Sequence, residues 1–125
     1  MNATVSCDKG IELDVDLVIN GTGLIRIGIP NGDSIVLKSG NNILIGDSGF
    51  TGTLSLTGFK VEDTSLFSLD FPAAAIQLNT GTKFNGPTDL KATGLHLDGA
   101  TFNAITSLEQ TGTTSDINSY GGNVF

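Results

Sequence analysis

Apolar and polar residues alternate most clearly near the start of the chain, where Ile11, Leu13, Val15, Leu17 and Ile19 are interleaved with Glu12, Asp14, Asp16 and Val18. Successive side chains of a strand point to opposite sides, so this period of two predicts a β-strand with one buried face and its acids in water. A second alternation, Ile25, Ile27 and Ile29, lies between Gly21-Thr22-Gly23 and Pro30-Asn31-Gly32-Asp33. Those flanking residues are turn formers: glycine reaches positive φ, proline presets φ, and Asn and Asp bond their own backbone. Further along, the apolar runs shorten to Ile35-Val36-Leu37, Ile43-Leu44-Ile45, Leu54-Ser55-Leu56, Phe59-Lys60-Val61, Leu66-Phe67, Ile76-Gln77-Leu78 and Leu95-His96-Leu97, with Gly, Asn, Asp, Ser and Thr between them. No long glycine-free window carries a helical stripe, so helix content should be very low. The one candidate helical turn, Pro72-Ala73-Ala74-Ala75, is too short to nucleate alone.

An internal repeat organises these runs. Ile43 and Ile45 align with Ile76 and Leu78, Phe50 and Gly52 with Phe84 and Gly86, and Leu54, Thr57, Gly58, Phe59 and Val61 with Leu90, Thr93, Gly94, Leu95 and Leu97. Units that cannot bury a face alone gain stability by stacking, which is the logic of solenoids. The expected fold is therefore all-β, a β-solenoid of the parallel β-helix kind with Gly/Asn corners; the alternative with similar strand spacing is an antiparallel β-sandwich. A chain of 125 residues suits one domain, expected over residues 1–108, followed by a polar arm over 109–125 whose apolar anchors are Ile117, Tyr120, Val124 and Phe125. Ile117, Tyr120 and Phe125 are candidates for docking that arm into a neighbouring subunit, with a frayed terminus as the other reading.

Charge and composition narrow the chemistry. Thirteen acids against six bases give a formal net charge of −7, and the bases are scattered along the chain. Without a basic patch, nucleic acid is not an expected partner, and without a long apolar run neither is a membrane. The single cysteine, Cys7, excludes an intrachain disulfide, and the single histidine, His96, sits between two leucines where a strand would turn it outward. Met1 is not followed by a basic stretch and an apolar run, so no classical signal is expected. Gly21-Thr22-Gly23 is followed by a strand pattern and not a helix start, so it reads as a turn and not a dinucleotide loop. No cofactor or metal is implied, and the protein is not expected to be an enzyme. Glu12, Asp14 and Asp16 share one face of the expected first strand. They are candidates for meeting a basic partner, with calcium, glycan cleavage or a plain solvated face as the other readings. Thr51-Gly52-Thr53, Thr80-Gly81-Thr82 and Thr111-Gly112-Thr113 each contain a glycine and read as corners more naturally than as a flat threonine face.

The Gly/Asn-punctuated short strands of residues 11–103, the acidic balance and the Thr/Ser-rich terminus together resemble small β-helical proteins of bacteriophage virions, both capsid decoration or cement proteins and fibre or spike components. The resemblance implies a non-enzymatic structural protein of the virion, assembled in the host cytoplasm. It would be a homo-oligomer, a trimer above other states, that stabilises a capsid or tail lattice by protein–protein contacts. The alternative it implies is a glycan-binding adhesin or receptor-binding tip.

Overall fold

In the computed structural model, residues 3–5, 10–28, 34–112 and 122–125 are described, and the short apolar runs become short strands. In chain order these are β1 (Ala3–Val5), β2 (Ile11–Leu13), β3 (Leu17–Gly21), β4 (Leu24–Gly28), β5 (Ile35–Leu37), β6 (Ile43–Phe50), β7 (Thr53–Thr57), β8 (Phe59–Val61), β9 (Phe67–Leu78), β10 (Lys83–Phe84), β11 (Thr88–Leu97), β12 (Thr101–Phe102) and β13 (Thr106–Gln110). Every ladder between them is parallel. Parallel neighbours cannot be joined by a hairpin; here the chain winds around the axis and returns one level up. The result is a β-solenoid of about four turns.

Each turn has three faces. The first stacks β1, β4, β7 and the C-terminal parts of β9 and β11. The second stacks β2, β5, β8, β10 and β12. The third begins with β3 and β6 and continues through the N-terminal parts of β9 and β11 to β13. Phe50 of β6 meets Phe71 of β9 edge-to-face at 5.9 Å and links the lower and upper levels of that face.

The core is a set of like residues stacked one level above another. On the first face Ile27, Leu56, Leu78 and Leu97 form one column, and Ile25, Leu54, Ile76 and Leu95 another. On the second face Leu13, Leu37, Val61, Phe84 and Phe102 line up. Such columns satisfy the backbone through cross-coil bonds about 4.8 Å apart while keeping apolar side chains in continuous contact. Thr82, fully buried, donates its hydroxyl to the Leu56 carbonyl at 3.0 Å, so its burial leaves no polar atom unmet.

Three sequence-level expectations are corrected here. The alternation from Ile11 to Ile19 is two strands and not one: β2 ends at Leu13, β3 starts at Leu17, and the chain turns between them from the second face to the third. Val15 consequently lies exposed on that corner and not in the core. The repeat alignment of 33 to 36 residues is not the coil. Ile43 and Ile45 stack on Leu17 and Ile19, while Ile76 stacks between Leu54 and Leu95; the coil step varies between 29 residues (Leu24 to Thr53) and 18 (Leu90 to Leu108). Finally, Pro72-Ala73-Ala74-Ala75 is extended within β9. There Pro72 to Ala74 lie opposite Thr93 alone, a bulge that turns β9 and β11 from the third face to the first. Proline suits that position because a bulge frees it from donating to the ladder.

Candidate interaction surfaces

Of the three candidate acids, Asp14 and Asp16 are held by the first corner. Asp14 Oδ1 accepts a hydrogen bond from Asn41 Nδ2 at 2.9 Å, and Asp16 Oδ1 accepts one from the Asn42 backbone N–H at 2.7 Å. Both carboxylates therefore tie the first corner to the one stacked on it. Glu12, the only one of the three within a strand, faces outward from β2, with Lys38 Nζ 4.0 Å away; that ammonium is closer to Glu62, at 3.0 Å. The Glu62 hydrogen bond, then the charges of Glu12 and Glu62, push the Lys38 pKa up. The three acids thus do not share one strand face, and two of them serve the fold directly.

Asp63 makes a similar clamp at the next level up, which the sequence did not single out. It accepts the backbone N–H of Gly40 at 2.8 Å and of Ser65 at 2.9 Å, and these bonds hold its carboxyl below the ordinary carboxylate pKa. Gly40 can present its N–H because its φ of 86° lies in the left-handed region.

At the other end of the solenoid, Phe125 continues the core column of the second face. Its ring stacks on Phe102 at 5.1 Å, and Phe102 stacks on Phe84 at 5.2 Å. Val124 exchanges backbone bonds with the strand beneath, donating to Ala100 and accepting from Phe102. Asn123 Oδ1 accepts from the N–H groups of both Gly99 and Ala100, while its Nδ2 donates to Leu97. Residues 123–125 are thereby fastened to the coil beneath them, with Phe125 70% exposed. Residues 109 and 110 belong to β13 and extend the solenoid. Ile117, Tyr120 and Cys7 lie outside the described residues.

His96 lies on the outward side of the first face, as its place between Leu95 and Leu97 predicts, in one column with Arg26, Ser55 and Gln77. Asn79 Nδ2 bridges Ser55 Oγ and Thr57 Oγ1 on the same face. Thr51-Gly52 and Thr80-Gly81 are corners, as read from sequence. Among the described residues, no three His, Cys, Asp or Glu side chains are placed together to hold a metal ion.

The surface feature that sequence reading missed is apolar. Of the exposed large hydrophobic residues, Val15, Leu66 and Ile105 occupy the corner between the second and third faces, and Val18 and Leu44 pair side by side on the third face next to it. Val124 and Phe125 are at the end. Leu66 reads in sequence as part of a strand with Phe67, but β9 starts only at Phe67. The missed signal is that Leu66 and Ile105 each precede a strand whose inward positions are already filled.

A scan against protein-family models, a search of curated proteins and a search of solved structures each return no match for this chain.

Proposed function

We propose that this chain is a non-enzymatic structural protein of a virion, of the capsid decoration or cement kind, that works by protein–protein contact and associates with copies of itself, a trimer being the favoured state. The observation that supports this reading most is an exposed aromatic ring that continues a core column, Phe125 on Phe102. Among the described residues β13 is an outer strand of its sheet, and the Phe125 ring, stacked on Phe102, is 70% exposed. Exposed apolar rings and sheet edges favour association, and symmetric copies are a direct way to cover them. The stacked core behind the ring makes a stiff support of the sort a lattice clamp needs.

The test is the solution mass of the purified protein by light scattering, for the wild type and for Phe125→Ser. A stable oligomer in the wild type that dissociates in the variant supports the reading. A monomer in both sinks it. In that case the polar column of Arg26, Gln77 and His96 favours the second reading, a glycan-binding adhesin or receptor-binding tip, since it offers hydroxyl-matching groups on successive levels of one face. A glycan array tests that directly, and binding lost in Gln77→Ala would establish it.

A further inference from the structure

We infer that the corner between the second and third faces is a docking ridge for a different protein, one that offers an apolar groove rimmed by lysine or arginine. The inference rests on the structural reading above and assigns its lattice-facing surface.

The corner recurs once per coil, at residues 14–16, 38–42, 62–66, 85–87 and 103–105. Phe67 N–H bonds the Pro87 carbonyl and Thr88 N–H bonds the Ile105 carbonyl, so Leu66, Pro87 and Ile105 stand one above another in the last three levels. Leu66 is 62% exposed and Ile105 86%. In the first two levels the same edge carries Val15 and the adjacent pair Val18 and Leu44. Apolar side chains thus stand on this edge in the first level and the last three, with Leu44 beside it in the second, over about 19 Å at about 4.8 Å per level. Single exposed hydrophobics are ordinary, but their collection on one edge of the prism marks an interaction surface.

Charge selects the occupant. Asp14, Asp16 and Asp63 lie on this corner and Asp70, Asp89 and Glu109 on the third face beside it. The bases there, Lys38 and Lys91, are each held by a carboxylate, at 3.0 Å to Glu62 and 3.4 Å to Glu109. The ridge is therefore an apolar strip in an acidic field. A second copy seated on the ridge would bring the same Asp and Glu side chains against it, and like charges across an interface oppose association. A groove with a basic rim meets both the strip and its surround.

The experiment uses the full-length protein and a fluorescent amphipathic peptide of leucine and lysine as the surrogate partner, with a counterpart carrying glutamate in place of lysine. Fluorescence anisotropy should show the lysine peptide binding and the glutamate peptide not. The double variant Leu66→Ser/Ile105→Ser, which keeps every charge, should weaken the lysine peptide by at least about tenfold, because buried apolar anchors dominate such contacts. Val124→Ser, which removes an exposed apolar side chain elsewhere, should bind as the wild type does. Unchanged melting temperatures would establish that the variants fold. No binding of the lysine peptide, equal binding of both peptides, or binding indifferent to the double variant would each overturn the inference. So would a wild-type oligomer that the double variant dissociates, which would make a second copy the occupant. An oligomer lost only in Phe125→Ser would leave the ridge to a different partner, so the two readings can fail separately.

Discussion

The ring of Phe125 lies 5.1 Å from that of Phe102 with their planes 7° apart, and it is the last member of a phenylalanine stack that starts at Phe84. Phe102 and Phe125 have unequal stakes in the fold. Phe102 is enclosed between its neighbours, whereas Phe125 has one face in solvent. Phe102→Ala should cost about 3–5 kcal/mol, the range for deleting a buried phenyl ring. Phe125→Ala should cost about 1 kcal/mol, close to the value of one aromatic pair. Urea unfolding followed by circular dichroism measures both.

Asn123 accepts two backbone N–H groups with one side-chain oxygen. Asn123→Ala leaves both donors to find water and should cost about 1–2 kcal/mol. Hydrogen exchange offers a sharper reading: the amides of Gly99 and Ala100 should exchange faster, while those of β7 should not.

Gly52 lies directly over Gly23, and a Cβ on Gly52 would run into the Gly23 carbonyl oxygen. Gly52→Ala must therefore push two coils apart at the corner between the third and first faces, a backbone clash that no side-chain rotation relieves. The expected loss is about 3 kcal/mol or more. At Gly21, with a φ of 99° and open space around it, Gly→Ala strains only its own backbone, at about 1–2 kcal/mol. Thermal unfolding of the two variants side by side checks the ordering.

Asp63 should make some of the stability acid-sensitive. Its folded-state pKa is depressed because two backbone N–H groups favour the carboxylate. A depressed carboxylate contributes stability that is present above its unfolded pKa and lost as pH falls through the folded one. Asp63→Asn should lower the melting temperature at neutral pH, and the gap to the wild type should close on acidification. A gap that persisted at low pH would show that the effect is not the titration of this group.

Much of the architecture is legible in the pattern of residues. Short apolar-x-apolar runs between glycines and asparagines can bury only a small area each, so they must stack, and the solenoid follows from that. The turn at Gly21-Thr22-Gly23 and the outward placement of His96 follow equally from local rules, because a turn and an alternating strand are decided within a few residues. The coil step does not. Corners of different length absorb insertions, so the step between stacked residues ranges from 29 to 18, and an alignment along the chain finds chance matches such as Phe50 with Phe84, which stand on different faces.

The candidate surfaces were only partly legible. An alternating run cannot reveal that Asp14, Val15 and Asp16 round a corner, because the strand pattern continues across it. The reason for the corner lies elsewhere, in Asn41 and the Asn42 backbone one level up.

By itself, then, the sequence determined the class of fold, the positions of several corners and the acidic character of the surface, since these depend on residue type and short-range spacing. The tertiary structure decided which residues stand above one another. It thereby turned scattered Leu66 and Ile105 into one ridge, set Phe125 on Phe102, and made Asp14, Asp16 and Asp63 into clamps between coils. Those outcomes depend on contacts between residues some twenty positions apart, and such contacts exist only once the coils are stacked.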